Sequence, residues 1–353
     1  MINKSDIMNE KMMNNLLDWY EKNKRNLPWR KTRNPYHIWV SEIMLQQTRV
    51  ETVIPYFKRF INTLPDIESL ASADEDVLLK LWEGLGYYSR VRNMQKCAKV
   101  LVQKYQGHMP STYDDLIKLP GIGFYTAGAI ASIAFDQNVP AIDGNALRIL
   151  SRINLDTRDM SKDLIKNEYF VKLTKKIRNN SGDFNQSLMD LGSLICSPRD
   201  TKCYLCPIKD MCKAYKENKV AELPMKYKKI TRKKEEKTIL IYRYKDKIAI
   251  QKRPETGLLA SLYEYPNLNK KLTEEELTNY LEEHKISYLK FDSLQESKHL
   301  FSHIEWHMIG YEIYLDKKIK DYLWISLSSL FKEYSIPTAF IIYTNYLREK
   351  NQK

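Results

Sequence analysis

One change of pattern divides this chain and limits what each part can become. Up to Ala221, apolar residues recur three and four positions apart, as in Val77, Leu78, Leu81, Trp82 and Leu85, while strand-like alternation is scarce. Gly and Pro fall at short intervals, as in helices joined by tight turns. At Glu222 the composition shifts. Leu223-Pro224 is followed by Lys226, Lys228, Lys229, Arg232, Lys233 and Lys234, a basic run read as an extended linker over 222–236. Beyond it, Thr238–Tyr244 and Ile248–Arg253 are β-rich and flank Lys245-Asp246-Lys247, which predicts a hairpin. Thr273 and Glu276 form a capping box that opens a helix to about His284. Ile304, Trp306 and Met308 alternate with Glu305 and His307, so that run predicts a half-buried strand. Pro337 opens a final helix through about Arg348. The expected architecture is a mainly α domain over 1–221 and a small α+β domain over 237–353, and 353 residues suffice for two such cores.

Lys and Arg number 57 against 44 Asp and Glu, a formal charge of +13. Such an excess favours a polyanionic partner, nucleic acid being the commonest, although many basic proteins bind nothing anionic. Five cysteines, an odd count, argue against a disulfide framework. Met1 to Glu21 contains no apolar signal core, and no stretch approaches the ~18 apolar residues that span a bilayer. The expectation is an intracellular chain with reduced thiols and no membrane partner.

Cys196, Cys203, Cys206 and Cys212 form a C-x6-C-x2-C-x5-C array within seventeen residues. A zinc ribbon usually has two close pairs separated by a longer loop, and here only Cys203 and Cys206 make such a pair. One wide, one tight and one medium gap suit a cubane iron–sulfur cluster better. Zinc, or unrelated buried thiols, stay open on spacing alone. Cys97 stands in a helical pattern upstream and reads as core.

Two further features carry chemistry. Leu119-Pro120-Gly121-Ile122-Gly123 precedes an Ala-rich helical stretch, Thr126 to Ala134. Gly121 and Gly123 at a helix start let the backbone approach a phosphate closely, with free N–H groups facing outward. Twenty residues after Gly123, Asp143 stands before the helical run Ala146–Arg152. It reads either as a plain N-cap or as a carboxylate held ionised by the helix N-terminus, next to where a cationic sugar would need it. Ile38 to Thr48 contains one charge, Glu42. Among Ile38, Trp39, Ile43 and Leu45 that carboxyl should be desolvated, which raises its pKa and keeps a proton available near neutrality. Alone, an outward-facing Glu42 on an amphipathic helix fits as well.

The neighbouring residues decide between these readings. Leu27-Pro28-Trp29-Arg30, Asn34-Pro35-Tyr36 and Trp39-Val40-Ser41-Glu42-Ile43-Met44-Leu45-Gln46-Gln47-Thr48 closely resemble MutY-type adenine DNA glycosylases of the endonuclease III, helix-hairpin-helix superfamily. Gly84-Leu85-Gly86-Tyr87-Tyr88-Ser89-Arg90 and Phe184-Asn185-Gln186-Ser187-Leu188-Met189-Asp190-Leu191-Gly192 match the same family. So do the hairpin glycines and the four-cysteine array. The resemblance covers nearly the whole helical part. It implies one [4Fe-4S] cluster on the four cysteines, with Arg199 and Lys202 in its first loop presented to DNA. It implies that the substrate is double-stranded DNA with adenine opposite 8-oxoguanine or guanine. It implies that Glu42 protonates adenine N7 and Asp143 stabilises the sugar cation, supported by Tyr125 and Asn145. It implies that Trp29, Arg30, Thr48 and Gln186 contact the DNA or the base, with Arg30 and Gln186 at the pocket rim. Gln47, Leu85 and Tyr87 are candidates for filling the gap left by a rotated base and reading the opposite strand.

Bifunctional relatives place a Lys where this chain has Tyr125, and tyrosine makes no Schiff base, so the expected chemistry stops at base release. Residues 237–353 resemble the Nudix-related 8-oxoguanine-recognition domain of the family. The matching run is Arg253-Pro254-Glu255-Thr256-Gly257-Leu258-Leu259-Ala260-Ser261-Leu262-Tyr263-Glu264-Tyr265-Pro266, while the acidic REUxEExGU part of a Nudix box is missing. Phe301-Ser302-His303 resembles the loop that touches the lesion. Oxidation turns guanine N7 into an N–H donor, which the Ser302 hydroxyl can accept. The expected enzyme is a monomer in the cytoplasm or nucleoid of a prokaryote-like cell. A non-catalytic, cluster-bearing damage sensor, or a bifunctional glycosylase/lyase, are the competing readings.

Overall fold

The computed structural model describes residues 7–225 and 231–351. They fall into two compact units, one within Met1–Ala73 and Arg92–Lys228, the other within Asp74–Val91 and Lys229–Lys353.

The first unit is helical. Its centre is the helix Phe124–Phe135, in which Thr126 to Ser132 are buried without a break, so it is covered on every side. The helices Pro35–Leu45 and Ser181–Leu194 pack against it. Gly128 permits this closeness, since a Cβ there would stand 2.3 Å from the Pro140 carbonyl oxygen. Pro35–Leu45 starts where the sequence dictates: Asn34 Oδ1 accepts from the Tyr36 N–H at 2.9 Å, and proline occupies the first position. The helix Gly144–Asn154 buries Leu147, Leu150 and Ile153 against Leu16, Leu173 and Leu188.

The second unit is a seven-stranded sheet: β1 (Lys233–Tyr244), β2 (Lys247–Lys252), β3 (Tyr263–Glu264), β4 (Asn267–Leu268), β5 (Tyr288–Leu300), β6 (Ile304–Leu315) and β7 (Leu323–Ser326). Five strands run in the order β3-β2-β1-β6-β5, with β4 paired to β1 and β7 to β2. β1 and β6 are parallel; β5 and β6 form an antiparallel hairpin. β1 is buried on both faces. Ile239 and Ile241 pack with Phe340, Tyr343 and Leu347, whereas Leu240 and Tyr242 pack with Leu277 and Leu281 of the helix Glu274–Glu283. That explains the unbroken apolar run, which a half-buried strand would not show. The Thr273–Glu276 capping box is formed.

Two features differ from the sequence reading. The helix Glu75–Trp82 and the loop after it belong with the sheet. Lys80 Nζ donates to the Tyr334 carbonyl at 2.9 Å, the Ile336 N–H donates to Glu83 at 3.0 Å, and Lys252 pairs with Asp76 at 3.0 Å. Helical periodicity reports that a face is buried, not against what. Second, β1 begins at Lys233, inside the expected linker, because residues Lys233 onward pair with β6 from Ile304. Residues 226–230 of that linker lie outside the described residues. Among the described residues no helix is long and apolar enough to cross a membrane.

Candidate active site

In the helical unit a cavity of about 760 Å³ is lined by Glu42, Tyr125, Asp143 and Asn145, together with Arg25, Trp29, Arg30, Gln47, Thr48 and Gln186. Glu42 projects from Pro35–Leu45, whose residues from Ile38 to Met44 are all buried, and is itself 4 % exposed. The Tyr125 hydroxyl donates to Glu42 Oε2. Burial pushes the Glu42 carboxyl up to about 7; the Tyr125 bond opposes this, the Asp143 charge adds to it, and Arg30 opposes it. Burial, then the two carboxyl groups, raises the Tyr125 phenol well above its ordinary value, so it stays a neutral donor. Tyr125 reaches Glu42 because it lies in the first turn of Phe124–Phe135, directly after the hairpin.

Asp143 caps Gly144–Asn154. One carboxylate oxygen accepts from the Ala146 N–H at 2.7 Å, the other from Asn145 Nδ2 at 2.7 Å. Arg148 in turn donates to Asn145 Oδ1 at 2.8 Å. The cap and the helix N-terminus, both legible in the sequence, favour the charged form. Burial is the larger effect and raises the Asp143 pKa above its ordinary value, with the Ala146, Asn145 and Arg148 groups opposing it. The cavity thus holds two desolvated carboxyl groups.

The wall beside them contains a cluster that the motif reading passed over. Asp190 is fully buried and accepts from Arg30 Nη1 at 2.7 Å, Arg30 Nη2 at 2.9 Å, Arg25 Nε at 2.9 Å and Arg25 Nη2 at 2.6 Å. Arg30 was expected at the pocket rim; it lines the cavity, but its guanidinium is committed to Asp190. Trp29 is buried edge-on against Phe57. Gln47 follows the helix end in a left-handed conformation, φ 60°, and is exposed. The hairpin glycines differ in reason. Gly121 has φ +77°, and a Cβ there would meet Asn93 Cβ at 2.8 Å; Gly123 is the N-cap of Phe124–Phe135, open to solvent and without a side-chain cap bond.

The remaining expected residues belong to the sheet unit. Phe301, Ser302 and His303 form the loop between β5 and β6. The Phe301 ring packs on His299 and Trp306, with centroids 4.6 and 4.8 Å away, and Arg232 Nε donates to the Phe301 carbonyl at 2.8 Å. Ser302 Oγ lies 3.1 Å from the Tyr87 hydroxyl. Tyr87 is 50 % exposed, has φ 48°, and lies near Arg90, which also donates to the Leu85 and Gly86 carbonyls at 2.9 and 3.0 Å. Leu85, the other gap-filling candidate of this loop, is buried.

Cys196, Cys203, Cys206 and Cys212 line one narrow cavity of about 20 Å³ with Ile149, Arg152 and Ile208. Arg152 Nη1 stands 3.2 Å from Cys196 Sγ and also donates to the Ser197 carbonyl at 2.8 Å. Among the described residues no group of three or more His, Cys, Asp or Glu side chains is gathered to hold one metal ion.

Residues 40–175 match the HhH-GPD superfamily of base excision DNA repair proteins, and residues 238–343 match the NUDIX domain. The chain is 40% identical over 298 residues to an adenine DNA glycosylase of Buchnera aphidicola subsp. Schizaphis graminum, covering 83% of this chain and 85% of that protein. It is 34% identical over 363 residues to the adenine DNA glycosylase of Mus musculus, covering 86% and 70%. Among solved structures, a thermostable thymine-DNA glycosylase aligns with 25% identity and a TM-score of 0.53, over 58% of this chain and 95% of that one. Endonuclease III in a non-covalent DNA complex shares the fold, with 22% identity and a TM-score of 0.51 over 60% and 99%. With two desolvated carboxyl groups in one cavity and relatives of this extent, the chain belongs to the adenine DNA glycosylases, base-excision enzymes of the HhH-GPD superfamily.

Proposed function

We propose that this enzyme is a monofunctional glycosylase that removes adenine paired with 8-oxoguanine or guanine in double-stranded DNA. The observation that carries the reading is Glu42: a carboxyl raised to about 7 by burial, in one cavity with Asp143. Adenine is rotated out of the duplex into the cavity, since stacking hides N7 and C1′. Glu42 gives its proton to N7, and the bonding pair of the C1′–N9 bond leaves with the base. Asp143 faces the positive charge that develops on the sugar, and water takes the vacated C1′ position, its proton passing to the Glu42 carboxylate and restoring the acid. Tyr125 and Asn145 orient the two carboxyl groups. With no amine at position 125, no Schiff base forms. Phosphates are held at the open backbone of Gly121 and Gly123. Residues 237–353 read the partner base, with Ser302 accepting from the N7–H of 8-oxoguanine.

The four cysteines would hold one [4Fe-4S] cluster. They share a cavity wall, and Arg152 stands against the Cys196 sulfur as a donor to a thiolate would. In a cubane each thiolate binds a different iron, so the sulfurs need not converge on one ion. Bound there, the cluster supplies a structural tie and no step of base release.

The test uses duplexes with adenine opposite 8-oxoguanine, guanine or thymine. Wild-type protein should leave alkali-labile abasic sites at the first two, with no borohydride-trapped adduct. Glu42→Gln should slow single-turnover release by ~10²–10⁴-fold while duplex binding persists. Activity within a few-fold of wild type would remove Glu42 from this role.

A further inference from the structure

The helix Ser181–Leu194 carries a buried charge that base release does not use. Asp190 has no solvent exposure, yet Arg30 and Arg25 outweigh the cost of burial and hold its carboxyl below the usual range. Two guanidinium groups take both of its oxygens, and the Arg25 N–H adds a longer contact at 3.3 Å. Arg30 also lies over the Tyr20 ring at 5.5 Å. Both arginines line the cavity that holds Glu42. A packed wall needs no charge, and a guanidinium facing an acid favours loss of its proton.

Asp190 supplies one of the two negative charges that offset the cations around the acid. Facing Glu42 are Tyr125 from Phe124–Phe135, Asp143 from the start of Gly144–Asn154, and Arg30; Arg25 lies beside Arg30 on Asp190, and Arg148 stands behind Asp143. Arg49 and Glu51 line the cavity too and carry opposite charges. With Glu42 protonated, Arg25, Arg30 and Arg148 stand against Asp143 and Asp190, and loss of the Asp190 charge would leave only one anion among three cations. We propose that Asp190 is a positioning residue that keeps the general acid protonated, by offsetting the charge of the two arginines that also shape the pocket. This rests on Glu42 being the acid. The pocket thereby keeps two guanidinium groups on its wall without losing its proton at neutral pH.

The charge account predicts opposite effects from its two sides. Asp190→Asn leaves the cations unmatched, so Glu42 gives up its proton more readily. Arg25→Gln removes one cation while Asp190 keeps its charge, and does the reverse. Single-turnover adenine release from the 8-oxoguanine duplex should be followed between about pH 5 and pH 9, where the rate falls as the acid ionises. The falling limb should move about one unit to lower pH in Asp190→Asn and to higher pH in Arg25→Gln. Profiles merely scaled down, or moved in one direction together, would show a packing role and overturn the proposal. Should Asp190→Asn fail to fold, an unmoved or lowered limb in Arg25→Gln overturns it alone. A wild-type rate with no falling limb, together with an active Glu42→Gln protein, would instead defeat the assignment of the acid itself.

Discussion

Glu42 in the helical unit and Glu312 in the sheet unit are the same side chain, 4 % and 0 % exposed, and they end on opposite sides of the ordinary carboxyl value. Burial pushes both upward. Glu312 then meets Lys350 Nζ at 2.6 Å, the Tyr346 and Tyr314 hydroxyls at 2.7 and 2.8 Å, and Arg243 Nε at 2.6 Å, and is held below the usual range. Glu42 meets a neutral phenol and a neighbouring carboxyl, and stays high. Burial sets the stakes, and the partners decide the charge. Glu312 joins β6, β1 and the last helix, Ile341–Lys350; Glu42 keeps a proton to give away.

That contrast is open to breakage, starting with the better-paired group. Glu312→Ala would leave Arg243 half-buried without its anion, and should cost about 3–5 kcal/mol, nearer the lower figure because Lys350 is partly solvated. Urea unfolding of the full chain reads this as a fall in midpoint. Its pH dependence has a definite sign: a depressed carboxyl contributes above its unfolded value and loses the contribution as pH falls below that, so wild type and variant should converge in acid. Glu42→Gln should act the other way. A raised carboxyl is most comfortable below 4.5 and loses stability as pH rises through about 7. The inactive variant should therefore be more stable than wild type above pH 7, by about 3 kcal/mol, and equal to it near pH 4. Equal stability across the range would mean that Glu42 is not desolvated. The smallest effect belongs to the half-exposed loop. Ser302→Ala removes one hydrogen bond to a neutral partner, worth ~0.5–1.5 kcal/mol, so the 8-oxoguanine to guanine rate ratio should shrink about two- to tenfold. Equal slowing on both duplexes would make Ser302 a support for Tyr87 and not a reader of the lesion.

The same contrast shows what a sequence discloses. Glu42 was legible because it is the one charge in an apolar helix, and local composition is enough to imply desolvation. Asp143 was legible as a cap, since capping is local, but the burial that outweighs the cap comes from distant elements. Asp190 gave no local sign of its role: Arg25 and Arg30 lie 165 and 160 residues away in sequence. Glu312 was invisible for a different reason, sitting in a strand with partners on β1 and the final helix. The hairpin of β1 and β2, the Thr273 capping box and β6 follow from periodicity and turn chemistry, which are short-range. β5 was not anticipated, because most of its residues are exposed or half-buried and its alternation is faint.

The attachment of Asp74–Val91 to the sheet unit bears on how the chain is made. Lys80 reaches its partner Tyr334 across 254 residues of sequence. At ribosomal rates of about 5–20 residues per second, some 13–50 s separate the emergence of the two. During that interval the helix Glu75–Trp82 is already made, while the Tyr334 and Ile336 partners of Lys80 and Glu83 are not. A nascent helix in that position is a natural client for a holding chaperone. It is also where a slowed or interrupted translation would expose this enzyme to proteolysis.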